Sequence, residues 1–229
     1  MRTTILLSLI VLSFTSAQAQ KWQPGTFTDV KGNRETGFIR LNPPGKGPIK
    51  DEGFIEFKET EKNNPYKLSA SDLRSFIVAK DSFVVAHAPQ NGAWGKEETD
   101  FVKVVIDEPT KLYVAEGGKG SGGGSGFGIS PGVGLGYGTG GYGGGVGGGI
   151  GISLGGGRGR KGGKTVYYYG TNTAEMKQLT DENFEDIMTD IMGDDPDVVE
   201  KIHAHQYGLK NIDKLLKYYN ETRLKSAAP

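Results

Sequence analysis

The chain has 229 residues with 27 Lys and Arg against 27 Asp and Glu, so its formal net charge at pH 7 is zero. This balance gives no bulk electrostatic reason to expect nucleic acid or an anionic membrane as a partner. The sequence has no cysteine, which excludes disulfides and a lipid-modified cysteine, and 27 of its 38 glycines fall within residues 117–163.

Residues 1–19 have the three parts of a secretory signal peptide. Arg2 supplies the positive charge, residues 5–14 form the apolar core, and Ala17 and Ala19 make a small-x-small cleavage site. The apolar run is too short to favour a membrane-spanning helix. The sequence therefore predicts an exported protein located in the periplasm, at the outer membrane or outside the cell.

Residues 20–116 alternate short apolar runs with turn residues. The predicted strands are 25–30, 35–41, 53–58, 66–69, 76–79, 83–86, 101–106 and 111–114. A single helical turn is expected at 71–73, and Asp81 and Ser82 are expected to form a hairpin turn. Strands at this spacing predict a small antiparallel β sandwich or barrel.

Residues 164–229 are predicted to be one more strand followed by three helices. The strand, 165–169, is expected beside Leu112 and Val114. Thr180 and Asp195 are the expected N-caps of the first two helices, and Gly193 is expected to end the first. Apolar stripes at helical spacing are Phe184, Ile187, Met188 and Ile191, then Val198, Val199 and Ile202, then Ile212, Leu215, Leu216 and Tyr219. Packed on the sheet, these helices give an α+β fold in one domain, with 117–163 as an insertion.

The glycine-rich insertion is patterned. Its apolar residues occupy odd positions before Gly140 and even positions after Gly141, and the positions between them are glycine or serine. Alternation of period two is typical of a strand, and a Gly-Gly pair suits a two-residue hairpin turn. The pattern predicts a β-hairpin over 126–155. Its candidate interaction residues are Phe127, Ile129, Val133, Leu135, Tyr137, Tyr142, Val146, Ile150, Ile152 and Leu154.

A turn at Gly140 and Gly141 pairs Thr139 with Tyr142, Leu135 with Val146 and Phe127 with Leu154, and puts the apolar side chains on one face. Glycine weakens strands, and Pro131 removes one ladder donor. Two interpretations therefore stay open, an ordered hairpin and a flexible loop. Arg158, Arg160, Lys161 and Lys164 make a basic cluster beside it.

No catalytic, cofactor-binding or metal-binding pattern is recognisable. His203 and His205 are two residues apart, a spacing that directs helical side chains to different sides. Asp194, Asp195 and Asp197 lack the glycine and distal glutamate of a calcium loop, and a helix cap explains them. The glycines lack the Lys-Ser/Thr pair of a nucleotide loop. Trp22, Trp94 and Tyr167 to Tyr169 are candidates for a glycan groove, although such residues are more often core.

Several short patterns resemble a group of exported Bacteroidota proteins of unknown function, some fused to an outer-membrane barrel. They are Thr36-Gly37-Phe38-Ile39, Ile55-x-Phe57, Tyr66-x-x-Ser69-Ala70-x-Asp72-Leu73-x-x-Phe76, Phe101-Val102-Lys103-Val104-Val105, Lys111-Leu112-Tyr113, Tyr167-Tyr168-Tyr169 and Tyr218-Tyr219-Asn220. The resemblance implies a β part with a helical tail, and because the matching positions contain no active-site motif, it implies nothing catalytic. The long glycine-rich insertion departs from that family's pattern.

Three functions are consistent with these patterns. The first is a non-enzymatic cell-envelope protein that uses the hairpin for self-association or for docking to an envelope protein. The second is a membrane-active protein whose copies insert hairpins into an oligomeric barrel. The third is a secreted glycan-binding module or hydrolase. No nucleic-acid partner and no cofactor are expected.

Overall fold

The computed structural model describes residues 22–41, 43–88, 97–116 and 165–226. Its strands form one antiparallel sheet in the order β10-β9-β8-β7-β6-β5-β1-β2-β3-β4. The strands are β1 (Gln23–Asp29), β2 (Arg34–Arg40), β3 (Phe54–Lys58), β4 (Tyr66–Ser69), β5 (Leu73–Val78), β6 (Asp81–His87), β7 (Thr99–Ile106), β8 (Lys111–Glu116), β9 (Thr165–Gly170) and β10 (Lys177–Gln178). This sheet, followed by helices, confirms the α+β prediction.

The first hydrophobic core lies within the curl of β1 to β7. The sheet bends so that the residues before β3 reach the start of β7, where Glu52 and Thr99 form a parallel bridge. The amide of Gly53 donates to the Thr99 carbonyl at 2.8 Å. Buried side chains fill the curl: Phe27, Ile39, Ile55, Phe57, Leu73, Phe76, Val78, Phe83 and Phe101. Phe76 stacks on Phe83 with ring centroids 4.8 Å apart.

The second core lies between β7 to β9 and three C-terminal helices, α1 (Phe184–Ile191), α2 (Pro196–His203) and α3 (Ile212–Ser226). The predicted stripes supply it: Phe184, Met188, Ile191, Val198, Ile202, Ile212, Leu215, Leu216 and Tyr219 are all buried. A shift of register in β7 between Val104 and Ile106 allows Val105 and Ile106 both to join this core. The helices are therefore fixed by packing on the sheet, as their narrow apolar stripes require.

Three local predictions were wrong or displaced. The turn between β5 and β6 is Ala79-Lys80, because Val78 pairs with Asp81. Asn183, not Thr180, precedes α1 as its N-cap residue, and its side chain accepts a hydrogen bond from the Thr180 amide. The helical turn expected at 71–73 is a 3-10 turn at Ala70–Asp72. The cap at Asp195 is confirmed, since its carboxylate accepts from the Val198 amide.

Two further predictions concern membranes and export. The predicted signal peptide, residues 1–19, lies outside the described residues. None of the helices in the described ranges is long and apolar enough to cross a membrane.

Candidate functional site

The candidate site is the base of the glycine-rich insertion, where the chain leaves the sheet and returns to it. Strand β8 ends at Glu116 and β9 begins at Thr165, and these two residues are direct partners in the antiparallel ladder. Leu112 pairs with Tyr169 and Val114 with Tyr167, which confirms the predicted neighbours of β9. Residues 117–164 therefore connect two hydrogen-bonded, antiparallel neighbours, which is the connection of a hairpin.

The register at this base agrees with the register expected from the glycine-rich sequence. In every β8–β9 pair the two residue numbers add to 281, as for Lys111 with Gly170 and Glu116 with Thr165. The pairs expected from a turn at residues 140 and 141 add to the same number. Each arm between the last ladder pair and that turn has 23 residues, 117–139 and 142–164. A turn placed one residue earlier or later would give expected pairs with a different sum, and the two registers would disagree.

The two faces of β8 and β9 have different surroundings. Leu112 and Tyr167 face the helices and belong to the second core. Tyr113, Ala115, Val166 and Tyr168 lie on the opposite face and form a third buried cluster with Val102 and Met176. Because side chains alternate along a strand, a hairpin in the register expected from the sequence would place odd residues of the first arm and even residues of the second on the face of Tyr113 and Tyr168, which stays a prediction.

Three tyrosines at the base, Tyr113, Tyr167 and Tyr168, have structural roles. The hydroxyl of Tyr167 donates to Asp213 Oδ1 on α3 at 2.9 Å, and burial, reinforced by that carboxylate, raises the pKa of Tyr167. Burial also raises the pKa of Tyr113, with a smaller contribution from Asp107, and raises the pKa of Tyr168. All three therefore stay neutral at physiological pH, which suits packing and not general-base chemistry.

The ten candidate interaction residues of the insertion lie outside the described residues and stay a prediction. They are Phe127, Ile129, Val133, Leu135, Tyr137, Tyr142, Val146, Ile150, Ile152 and Leu154.

The acidic run before α2 lines an open groove of about 480 Å³ beside the last turns of α3. The Asp195 carboxylate accepts a hydrogen bond from the Val198 amide and caps helix α2. Across the groove, Arg223 Nη1 donates to Glu108 Oε1 at 2.6 Å and to the Tyr219 hydroxyl at 3.2 Å. Asp195, Arg223 and Glu108 therefore already have partners within the protein. Among the described residues no group of three His, Asp or Glu side chains is arranged to hold a metal ion.

The aromatic residues considered for a glycan groove have contacts within the protein where the structure describes them. Tyr167 and Tyr168 are buried. Trp22 lies under two cations, with Lys58 Nζ 4.6 Å and Arg40 Cζ 5.0 Å from its ring. Trp94 lies outside the described residues.

The prediction that His203 and His205 diverge was wrong. Helix α2 ends at His203, and both imidazoles reach Glu185 on α1. The cause is the left-handed backbone of His205, which a helical-spacing rule does not anticipate.

Comparison with protein-family models, with curated proteins and with solved structures found no match to this chain. The resemblance to exported Bacteroidota proteins stays a prediction.

Proposed function

We propose that this chain is a non-enzymatic, exported cell-envelope protein. Its α+β part serves as a scaffold, and its glycine-rich insertion continues β8 and β9 as one hairpin used for self-association or docking. Residues 117–164 lie outside the described part, so the proposal rests on their sequence and on the register at their base. The supporting observation is that the β8–β9 ladder and the pattern of the insertion share one register.

The chemistry of such a hairpin favours contact between backbones. On the face continuous with Leu112 and Tyr167, nearly every position of the arms is glycine or serine. Sheets with such faces can approach each other closely, as in stacked cross-β assemblies. An isolated hairpin is marginal in water, so the apolar face needs a partner, and a second copy of the chain supplies an identical face.

Engineered disulfides test the hairpin itself, because the chain has no native cysteine. In Leu135→Cys/Val146→Cys, the shared register brings the two Cβ atoms to about 4.5–5.5 Å, close to disulfide distance. We expect rapid intramolecular crosslinking of this variant under mild oxidation. Leu135→Cys/Ile150→Cys, four residues out of register, is the matched control. Equal crosslinking of the two variants would refute a defined register.

Size-exclusion chromatography tests self-association. The mature chain is compared with a variant in which an Asn-Gly turn replaces residues 117–164. We expect the mature chain to elute as an oligomer and the shortened chain as a monomer. If the mature chain and the shortened chain both elute as monomers, self-association through the insertion is excluded.

A feature of the sequence favours a second function, membrane insertion of the hairpin. In a hairpin of the shared register, Lys119, Arg158, Arg160 and Lys164 would fall on the same face as the apolar residues, closer to the sheet. The apolar arms beyond them, 127–139 and 142–154, exceed the 9–11 tilted strand residues that span a bilayer. When an apolar span lies in the hydrocarbon core of a bilayer, basic residues next to it lie at the level of the anionic lipid headgroups, which attract them.

Dye release from phosphatidylcholine–phosphatidylglycerol vesicles separates the two functions. Release that requires the insertion, and that weakens in Arg158→Gln/Arg160→Gln, supports insertion. Intact vesicles at high protein concentration, together with oligomers in solution, support self-association.

The barrel alternative for the β part is supported by the Glu52–Thr99 bridge. No described observation favours the glycan-binding alternative.

A further inference from the structure

A carboxylate on α1 lies between two imidazoles at the end of α2. Glu185 Oε1 is 2.9 Å from His203 Nδ1, and Glu185 Oε2 is 3.4 Å from His205 Nδ1. The sequence has three histidines. The third, His87 on β6, has a different partner, the Thr99 hydroxyl at 3.1 Å.

The backbone after α2 creates this convergence. His205 donates its amide to the Ile202 carbonyl and Gln206 donates to Lys201, the two hydrogen bonds of a Schellman motif. The residue that takes the left-handed conformation in this motif is usually glycine, and here it is His205, with φ of +52°. A side chain in that conformation is strained, because its Cβ lies too close to the following carbonyl oxygen. The turn carries the imidazole of His205 to the side of His203.

We propose that Glu185, His203 and His205 form a proton-operated latch that joins the first turn of α1 to the C-terminal end of α2. Protonated imidazoles give two charge-assisted contacts to one carboxylate. The helix dipoles act in the same direction, because they favour an anion at the start of α1 and cations at the end of α2. Loss of the imidazole protons at higher pH removes both attractions.

The charges that act on Glu185 define the pH window. Its pKa is lowered from the model-compound value of 4.5, first by the hydrogen bond with His203 and then by attraction to His205 and His203. Two nearby charged groups have other partners. Lys201, one turn before His205, lies over the Tyr218 ring of α3. The Glu182 carboxylate has a hydrogen bond with the Thr180 side chain.

A lowered carboxylate pKa gives stability that is present above about pH 4.5 and is lost as pH falls through the folded value. A neutral imidazole exerts no charge attraction on the carboxylate. The latch is therefore closed where Glu185 is ionised and the imidazoles are protonated.

Urea unfolding at pH 5.5 and pH 8.0 tests the latch, with Glu185→Gln compared with the wild type. The comparison cancels every titrating group common to both proteins. We expect the substitution to increase the unfolding equilibrium constant about threefold or more at pH 5.5 relative to its effect at pH 8.0, where only the interaction of Glu185 with the helix dipole is lost. His87→Gln is the control and should show no such pH dependence. Equal effects of Glu185→Gln at both pH values would overturn the proposal.

His205→Gly separates the latch from a simple helix cap. Glycine relieves the left-handed strain, so the variant should be more stable than the wild type at pH 8.0. At pH 5.5 the gain should shrink, because one imidazole contact is lost. The same gain at both pH values would show that His205 is only a cap residue and would also overturn the proposal.

Discussion

At the scale of single residues, the close contact of β2 with β3 depends on Gly37. A methyl group added at Gly37 would lie 2.4 Å from the Lys58 carbonyl oxygen and 2.8 Å from the Phe57 ring. The first of these contacts is with backbone, which cannot move without disturbing the ladder. Gly37 therefore has a packing role in the first core.

We predict that Gly37→Ala lowers the free energy of unfolding by about 1–3 kcal/mol, the usual cost of overpacking. Urea unfolding measures it. Gly208→Ala is the matched control, because an added methyl at Gly208 meets no atom within 4 Å and should change stability by no more than about 0.5 kcal/mol. Equal effects of the two substitutions would contradict the packing role.

Asp100 is a second residue whose substitution should change the free energy of unfolding measurably. Its Oδ1 accepts a hydrogen bond from the Phe101 amide at 2.9 Å and packs against Gly53, where an added methyl would lie 1.8 Å away. Burial raises the pKa of Asp100 well above its usual range, and the charge of Glu97 adds to the effect. Because the folded pKa is the higher one, stability falls as pH rises from the unfolded value through the folded value.

We predict that Asp100→Asn stabilises the protein at pH 7 by about 1 kcal/mol or more, since it removes a desolvated charge and keeps the acceptor for Phe101. The gain should disappear as pH falls towards 4. Unfolding free energies measured between pH 4 and pH 8 check this. A stabilisation that does not vary with pH would mean that the carboxylate is not the cause.

At the scale of elements, β7 carries an ion pair at the junction between the first and second cores. Lys103 lies between Phe101 and Val105 on one face of the strand, and its Nζ is 2.6 Å from Asp81 Oδ1 on β6. The Lys103 side chain is 10% exposed and that of Asp81 is 21% exposed. A pair this buried offers little net stability over apolar residues, but each partner depends on the other.

We predict that Asp81→Ala destabilises the protein by about 3 kcal/mol, at the low end for buried pairs because Asp81 retains some exposure. Asp81→Ala/Lys103→Met should recover most of the loss, since no buried ammonium remains. Urea unfolding with an unchanged denaturant slope is the measurement. Additive losses in the double variant would show that the two side chains are not coupled.

At the scale of the whole molecule, the ladder pairs Glu116 directly with Thr165, so the α+β part needs only a short connection between these two residues. Antiparallel partners are about 5 Å apart, a distance that a two-residue turn bridges. Shortening a slack connection of about 48 residues to two lowers the loop-closure cost by about 3 kcal/mol, at about 0.6 kcal/mol per halving.

We therefore predict that replacing 117–164 with Asn-Gly leaves the circular dichroism spectrum of the sheet and helices in place. Unfolding should be cooperative and at least as stable as in the intact chain. Thermal and urea unfolding measure this. A variant that does not fold would show that the insertion contributes to the cores. A gain well below about 3 kcal/mol would indicate that the native insertion adds stabilising contacts of its own.

Local features of the fold could be predicted from the sequence, because they depend on neighbouring residues. The stripe Ile212, Leu215, Leu216 and Tyr219 is buried as its spacing requires, and the Asp195 cap follows from the chemistry of its own side chain. The change of phase at residues 140 and 141 is equally local, and its register agrees with β8 and β9 although those strands were not used to derive it.

Apart from the neighbours of β9, contacts between distant residues could not be predicted. Asp81 and Ser82 are common turn residues, yet the turn is Ala79-Lys80, because that register pairs Phe76 with Phe83 inside the first core. The convergence of His203 and His205 on Glu185 depends on one left-handed residue and on the packing of two helices.

The sequence by itself determined the approximate positions of nine of the ten strands, the helical stripes and the alternation of the insertion. These follow from periods of two and of about 3.6 residues along the chain. Only the tertiary structure decided the full strand order, the curl at Glu52 and Thr99 and the ion pair of Lys103. Each of these depends on free energies of contact between residues far apart in sequence, which no local pattern records.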